Sequence, residues 1–457
     1  MKKGSLLSIL TVLVMLSTLL VGCVQAAATE APADVAATEA AATEAPEATT
    51  VAAGEPVELE MWSFIQQHLD YFVEMSAIWN ETHPDKPVTI VPVFYDWASL
   101  HDKLYAAQMA GEGVPDIADV EMGKWPMFMN GEVQFLDLNP YITEYAQDLV
   151  TPILDMVSKD GNLYAAPSHV GATVMYYNTE LLEAAGIDYT TIKTWDDFEA
   201  AMKTYKEATG NYMYYCETYG AYQYTILMSE LGATLIDEKG MPTLNGPEAL
   251  KSVELINKWV NDDLLAFIPT GNADTIDGGR AAVYNGDVAA VAYPLWYMNR
   301  FTDEMPDLAG KIAIAPLPVF DDNSYKSVGL GGTGTTVDKN SENAELAAEF
   351  VVWAKLSPEG SAGLWKLLGF DPVNIKVASD TSITTDPENK FLKYFSTNPF
   401  DVLASVSDKM FSQMTMQNSG IINDYLSATT WNRIYVDKED PQTVLDETQA
   451  ELLSQSN

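Results

Sequence analysis

A chain of 457 residues is too long for one compact domain and predicts at least two lobes, and its 47% hydrophobic residues can fill a large core. It carries 65 acidic residues against 25 Lys and Arg, a formal net charge of −40, which disfavours nucleic acid and anionic membranes as partners of the globular part. With four His and no close Cys/His spacing, we predict no zinc site, no other metal site and no cofactor.

The first residues predict a secretion signal. Two lysines precede an uncharged run rich in Leu and Val, which has the length of a signal peptide. The run ends in Leu20-Val21-Gly22-Cys23, which resembles a bacterial lipobox. The resemblance implies that residues 1–22 are a lipoprotein signal peptide and that an acyl group on Cys23 anchors the protein in the membrane. An uncleaved membrane anchor is the alternative.

Residues 23–54 are predicted to be a disordered tether. The stretch is built of Ala, Thr, Glu and Pro, and the sequence Ala-Thr-Glu-Ala-Pro occurs at residues 28–32 and again at 42–46. It has no aromatic residue, Lys or Arg after Cys23, so it cannot bury enough apolar surface to offset the entropy of ordering. The globular part therefore begins near Glu55.

Strands and helices alternate in the next part of the chain. Alternation predicts a strand over 57–62, a β-rich segment a second one over 88–94, and a third short strand follows at 116–120. Helical spacing predicts a helix between the first two strands that stops at His83-Pro84, and another over 97–109. This order indicates an α/β lobe.

The carboxyl ends of these strands are the predicted ligand side of the lobe. In open α/β sheets, ligands bind outside the carboxyl ends of the strands. We therefore predict that Trp62 contacts ligand after the first strand and Asp96 after the second. Glu121 and Trp125 are predicted to do so after the third strand.

The middle of the chain carries an ordered set of motifs. These are Asp160-Gly161-Asn162-Leu163-Tyr164-Ala165-Ala166-Pro167, a strand ending Tyr176-Tyr177-Asn178, a helix ending Ala185-Gly186-Ile187, and Thr194-Trp195-Asp196-Asp197-Phe198. The set resembles the extracellular solute-binding protein family 1, which includes maltose, multiple-sugar and arabinose-type binding proteins of ABC importers. The resemblance implies an α/β, two-lobed, periplasmic-binding-protein-like fold of type II with a ligand cleft between the lobes.

Two later motifs resemble the same family. Tyr293-Pro294-Leu295-Trp296 is similar to a family strand ending Gly-Pro-Trp, with Tyr for the Gly and one extra residue before the Trp. The resemblance implies that Trp296 stacks on the ligand. The segment 328–336 is similar to the family's glycine-rich strand. Its Gly331 and Gly332 allow close backbone approach, which suits the wall of a site.

The chain is expected to cross between lobes several times. We assign residues 57–168 and 319–370 to lobe one, and residues 169–318 and 371–457 to lobe two. His169 and Asp371 lie at two of these crossings, so both are predicted to contact ligand.

Sugars present flat C–H faces and rings of hydroxyls, so their sites combine aromatic platforms with planar polar groups. The predicted platforms are Trp62, Trp125, Trp296 and Trp431. Three other tryptophans, Trp79, Trp195 and Trp353, are predicted to pack helices, and Cys216 is predicted to be a buried packing thiol.

The sequence thus predicts an extracytoplasmic, lipid-anchored substrate-binding protein of an ABC importer. It is expected to act as a monomer without catalytic residues, to capture a mono- or oligosaccharide by lobe closure, and to deliver it to the permease. A peptide, a polyamine or ferric iron is an alternative ligand. A secreted glycosidase, which would need a pair of closely spaced carboxylates, is the alternative activity.

Overall fold

The computed structural model describes residues 54–237, 239–268, 274, 276–412 and 419–455. The described residues belong to one compact unit that spans residues 51–457. The predicted signal peptide, Cys23 and the predicted tether as far as residue 53 lie outside the described residues. Within the described ranges, no helix combines the length and the apolar character that crossing a membrane requires.

The strands are short and are spread over the whole described chain. In chain order they are β1 Val57–Ser63, β2 Val88–Phe94, β3 Ile117–Glu121, β4 Ser158–Lys159, β5 Asn162–Leu163, β6 Ala166–Pro167, β7 Thr173–Asn178, β8 Tyr214–Cys216, β9 Leu265–Phe267, β10 Ala290–Pro294, β11 Ile312–Ala315, β12 Ser327–Gly329, β13 Thr333–Val337 and β14 Met410–Ser412.

Helices connect and cover these strands. They are α1 Gln66–Thr82, α2 Trp97–Ala110, α3 Trp125–Phe128, α4 Asn139–Ile142, α5 Thr151–Met156, α6 Thr179–Ala184, α7 Trp195–Thr209, α8 Tyr222–Glu230, α9 Pro247–Asn261, α10 Ala281–Tyr284, α11 Met298–Glu304, α12 Ala344–Leu356, α13 Pro358–Leu368, α14 Ile375–Ser379, α15 Thr381–Thr384, α16 Lys390–Tyr394, α17 Pro399–Val406, α18 Ser419–Tyr425 and α19 Pro441–Gln455.

The first lobe is built on a five-stranded sheet of order β2-β1-β3-β13-β6. Strands β2, β1 and β3 are parallel, and β13 runs antiparallel to β3, so that Thr333 lies opposite Glu121 and Val337 opposite Ile117. The predicted strand–helix–strand–helix–strand order is confirmed, and α1 ends one residue before His83 as Pro84 requires. The carboxyl ends of the three parallel strands therefore meet at one edge.

The second lobe is centred on the antiparallel sheet β10-β7-β11. Alternate side chains of β7 point to opposite faces. Met175 and Tyr177 belong to one core with Trp195, whereas Val174 and Tyr176 belong to another. Because both faces of this sheet are buried, the β7 sequence is almost continuously apolar.

The predicted packing roles of Trp195 and Cys216 in the second lobe are confirmed. Thr194 caps α7 and accepts a hydrogen bond from the Asp197 N–H, while the Asp197 carboxylate accepts one from the Thr194 N–H, which completes a capping box. Trp195 is buried in the core beneath this cap, as expected for helix packing. Cys216 is fully buried, and burial raises the pKa of its thiol, so it is an inert packing group.

Two lobe boundaries differ from those predicted. Strand β12 pairs with β14 outside the five-stranded sheet, and Gly329 bridges to Ala172. The return to the first sheet therefore falls at residues 330–332, not after Pro318. Past the third crossing, Val373 accepts a hydrogen bond of 3.0 Å from Val150 of the first lobe. The chain thus stays on the first lobe beyond residue 370, because its carbonyl groups find partners there.

Candidate ligand-binding cleft

A cleft with a cavity volume of about 650 Å³ opens at the carboxyl ends of β1, β2 and β3. This volume is in the usual range for small-molecule sites. Its first wall comes from the first lobe and comprises Phe64, Ile65, His68, Trp97, Glu121, Met122, Gly123 and Lys124. Its second wall comes from the second lobe and includes Tyr219, Tyr222, Tyr293, Trp296, Asn299, Arg300, Asn423, Asp424 and Ser427.

Trp97 is the aromatic platform of the first wall. Its side chain is 44% exposed, and the Lys124 Nζ lies 4.4 Å from its ring centroid. Trp97 opens α2, and Asp96, one residue earlier, caps this helix by accepting a hydrogen bond of 3.0 Å from the Ser99 N–H. The predicted ligand contact of Asp96 is thus corrected: its carboxylate serves the helix end, and the adjacent Trp97 lines the cleft.

Glu121 brings a carboxyl group to the first wall, as predicted. Its Oε2 accepts a hydrogen bond of 2.8 Å from the Gly123 N–H, and its own N–H donates to the His101 Nε2 at 3.0 Å. Burial raises the pKa of Glu121 to about 7. The carboxyl group therefore titrates near neutral pH and can either accept or donate a hydrogen bond to a ligand hydroxyl.

Glu121→Gln should make stability less dependent on pH. The Glu121 pKa rises from an ordinary 4.5 to about 7 on folding, so the wild-type protein loses stability as the pH rises from 4.5 through 7. The amide has no charge to bury. We expect the variant to be more stable than wild type at pH 8 by on the order of 2 kcal/mol and equally stable at pH 4.

Urea denaturation at the two pH values measures this difference. Glu58→Gln is the matched control, because Glu58 is an exposed carboxylate on the neighbouring strand. If the free energies of unfolding of the Glu121 variant and the wild type differ by the same amount at both pH values, burial does not raise the pKa of Glu121.

Trp296 is an aromatic side chain of the second wall, and its stacking on a ligand stays a prediction. Its Nε1 donates to the Leu330 carbonyl at 3.3 Å, and its ring meets the Tyr293 ring edge-on with 5.3 Å between centroids. Tyr222 stacks on Tyr293, with 4.7 Å between the ring centroids. The indole is thus held by an aromatic cluster and keeps its orientation without a ligand.

Arg300 gives the second wall a fixed cation. Its Nε donates to the Asp274 carboxylate at 2.9 Å, its Nη1 donates to the Asn299 side chain at 3.2 Å, and its guanidinium lies 6.0 Å from the Trp296 ring centroid. Arg300 and Asn299 both line the cleft. The pair supplies oriented donors beside the aromatic platform.

The chain segment 330–332, which passes from one lobe to the other, also lines the cleft. Gly331 and Gly332 have φ angles of +67° and +117°, in the region that favours glycine. A Cβ on Gly331 would meet the Trp296 Nε1 at 3.3 Å, and one on Gly332 would meet the His169 ring at 3.3 Å. The structure places both predicted glycines in the cleft lining, where their backbone is accessible because they lack side chains.

His169 lines the cleft, whereas Asp371 does not. The Asp371 carboxylate accepts hydrogen bonds from the Gly171 and Ala172 N–H groups at 3.2 and 3.1 Å, and burial raises the Asp371 pKa to about 6. The prediction for Asp371 is therefore corrected: its carboxylate holds the lobe crossing near residue 171 against the lobe crossing near residue 371. Burial, together with the nearby His68 and Lys355, lowers the pKa of His169 to about 3.

Three predicted tryptophan platforms lie in protein cores instead of the cleft. Trp62 donates to Glu60 on its own strand at 2.5 Å and packs on Tyr95. Trp125 stacks on Phe135 beneath the first wall at 5.9 Å. Trp431 is 1% exposed and stacks on Tyr435 inside the second lobe. Each indole finds its partners among residues of its own lobe.

Several lining residues were not predicted. Phe64 and His68 follow β1 within five residues, so the strand-end rule identifies their neighbourhood but not the side chains themselves. Tyr222 and Arg300 carry no such signal in the sequence. Tertiary packing places the start of α8 beside β10, where Tyr222 stacks on Tyr293.

Two α/β lobes, several crossings and a cleft with one wall from each lobe define a solute-binding protein. The family model described as bacterial extracellular solute-binding protein matches residues 63–360, and this chain belongs to that family. The predicted family membership is confirmed, and it places the protein outside the cytoplasm.

Named relatives cover most of the chain. The arabinooligosaccharide-binding protein of Bacillus subtilis is 35% identical over 410 residues, 89% of this chain and 94% of the relative. The arabinooligosaccharide-binding protein of Halalkalibacterium halodurans is 35% identical over 377 residues, 82% of this chain and 84% of the relative. The lactose-binding protein of Rhizobium radiobacter is 26% identical over 292 residues, 62% and 67% of the two chains.

Solved structures share the fold. The sugar-binding protein MalE of Xanthomonas citri superposes with a TM-score of 0.71 at 17% identity, covering 88% of this chain and 98% of that chain. A binding protein of Bifidobacterium animalis subsp. lactis Bl-04, in complex with beta-1,6-galactobiose, gives 0.70 at 20% identity, with 88% and 97% covered. The predicted two-lobed, periplasmic-binding-protein-like fold is thereby confirmed.

Proposed function

We propose that this protein captures an arabino-oligosaccharide in the cleft and delivers it to an ABC permease. The observation that carries the proposal is the matched chemistry of the two walls. Each wall presents an aromatic ring beside a titratable or charged group, Trp97 near Lys124 and Trp296 near Arg300. Sugar rings need such apolar platforms for their C–H faces and oriented polar groups for their hydroxyls.

The extent of the cleft favours an oligosaccharide. A single pentose ring would fill only part of the 650 Å³ cavity. Trp97 and Tyr219 are 44% and 66% exposed on opposite walls, so aromatic surface extends to the opening of the cleft. Two relatives at 35% identity are named arabinooligosaccharide-binding proteins, which supports the same ligand class here.

The ferric-iron alternative finds no support in the cleft. Its candidate tyrosine pairs, Tyr176-Tyr177 and Tyr214-Tyr215, are buried in the second lobe, and none of the four lines the cavity. Across the described ranges, no group of three His, Cys, Asp or Glu side chains is placed to hold a metal ion. Family membership likewise favours binding over glycosidase activity, so we propose that the sugar leaves unchanged.

Closure of the lobes is the proposed mechanism. We propose that the two walls approach until one ligand touches Trp97 and Trp296 together, so that the ligand binds the closed state more tightly and shifts the population toward it. We propose that the permease recognises this closed monomer and that an acylated Cys23 holds it at the membrane. Mass spectrometry of membrane-extracted protein tests the anchor, and an intact Met1 terminus would exclude it.

A thermal-shift panel tests the ligand class. Arabinotriose should raise the melting temperature, because a ligand at 100 times its Kd stabilises the folded state by about 2.7 kcal/mol. Arabinose, maltotriose, spermidine, a tripeptide and ferric citrate serve as matched comparisons. We expect arabinotriose to give the largest shift and to be recovered intact by chromatography. A shift with spermidine, peptide or iron alone, or cleavage of the sugar, would overturn the proposal.

A further inference from the structure

Two buried histidines line the cleft. His68 lies in the first turn of α1 and His169 at the first crossing, and both line the cavity while their side chains are only 2% and 4% exposed. Both pack against Phe370 of the third crossing, with ring centroids 5.5 and 4.8 Å from its own. One imidazole from the first lobe and one from a crossing thus share the same aromatic support.

Each imidazole has a ring nitrogen without a partner in the described structure. The His68 Nε2 and the His169 Nδ1 are buried and make no hydrogen bond to any described residue. The His169 Nδ1 is 3.9 Å from the Asp371 carboxylate, beyond hydrogen-bond range. Leaving such an atom unsatisfied costs its desolvation penalty, so native proteins rarely tolerate it without a function or a bound partner.

A fixed carboxylate orients His68. The Asp119 Oδ2 lies 2.9 Å from the His68 Nδ1 and also accepts from the Ser63 hydroxyl at 2.7 Å. The Thr335 hydroxyl donates to the other Asp119 oxygen at 2.5 Å. Burial opposes ionisation, but the hydrogen bond with His68 and the proximity of His68 and Lys355 hold the pKa of Asp119 well below its ordinary value.

The carboxylate determines where the His68 proton lies. Because Asp119 is ionised, the His68 Nδ1 carries a proton toward it. The His68 Nε2 is then an acceptor in the neutral ring and a donor in the protonated ring. A hydroxyl group can serve as donor or acceptor, so it matches the free nitrogen in either state.

We propose that His68 and His169 form a hydroxyl-binding subsite for one end of the bound sugar, with Asp119 as the residue that positions His68. This inference rests on the proposed sugar-binding function and adds the group that the two histidines recognise. The ligand chemistry is a neutral sugar hydroxyl. Its hydrogen bonds satisfy nitrogens that otherwise stay unpaired, so a sugar lacking that hydroxyl leaves the penalty in place.

Nitrogen-15 NMR of histidine-labelled protein tests the subsite directly. The chain has four histidines, so single His→Gln variants assign every imidazole. On saturation with arabinotriose, we expect the His68 Nε2 and His169 Nδ1 resonances to move. The resonances of His83, which stacks on Trp79 at the end of α1, should stay in place. Calorimetry should show at least a tenfold loss of affinity for His169→Gln and none for His83→Gln.

The two failures can be told apart. If calorimetry shows that arabinotriose binds while both resonances stay unchanged, the subsite is wrong and the proposed function stands. If arabinotriose does not bind to folded protein, the proposed function fails and the subsite fails with it. Equal shifts of all four histidines would also overturn the subsite, because they would report a change of the whole protein. The wild-type spectra decide the matter even if His68→Gln does not fold.

Discussion

Trp296→Ala should weaken arabinotriose binding by roughly 10- to 100-fold, the loss expected from one aromatic platform worth about 1–3 kcal/mol. The fold should survive, because the indole is only partly buried and donates its one hydrogen bond to the Leu330 carbonyl. Tyr293 and Tyr222 stack on each other without it. Calorimetry of the purified variant measures the affinity, and a melting curve verifies the fold.

The control is Phe267→Ala. Phe267 is a 43% exposed aromatic residue of the same lobe that does not line the cleft, so its loss should leave the affinity as it is. Unchanged affinity in the Trp296 variant would remove this indole from the site. A large fall in its melting temperature would instead assign it to the core.

Lys355→Met should destabilise the protein by about 3 kcal/mol, because removing one partner of a buried charge network leaves the other charge uncompensated. Lys355 is 1% exposed, and its Nζ donates to the Ser168 and Thr335 hydroxyls, both at 2.6 Å. Burial lowers the pKa of Lys355 to about 8. Without the lysine, the buried Asp119 carboxylate loses a favourable charge interaction.

Urea denaturation of four variants separates charge from packing: Lys355→Met, Asp119→Asn, their double variant and the control Lys366→Met. Lys366→Met changes an exposed lysine on α13 and should leave the free energy of unfolding within about 0.5 kcal/mol of wild type. The double variant Asp119→Asn with Lys355→Met should lose less than the sum of its single variants, since it buries no unpaired charge. Additive losses would show that the two groups are independent.

The three parallel strands of the first lobe and the two helices between them could be predicted from the sequence. These strands alternate or are rich in β-branched residues, and the helices end at recognisable signals such as Pro84. Because ligands bind at the carboxyl ends of the strands, the sequence identified Glu121, which lines the cleft. The same rule selected Asp96. A short polar residue before a helix commonly caps that helix, as Asp96 does here, and the next residue, Trp97, lines the cleft.

The tryptophans show what the sequence could not supply. Trp62, Trp125 and Trp431 have the same chemistry as Trp296, and only tertiary packing separates a platform from a core residue. Trp296 was correctly placed in the cleft because a family motif contains it. The second wall also depends on long-range packing, since Tyr222 and Arg300 are far apart in the chain and meet only after the lobe has folded.

A crystal structure of the protein grown with arabinotriose tests the capture of a sugar between the two lobes most directly. We expect one sugar chain in the cleft, with one ring stacked on Trp296, hydroxyls bonded to Glu121 and Arg300, and Trp97 drawn toward the second wall. A sugar bound only on the outer surface, or touching one wall while the lobes keep their present separation, would contradict this mode of binding.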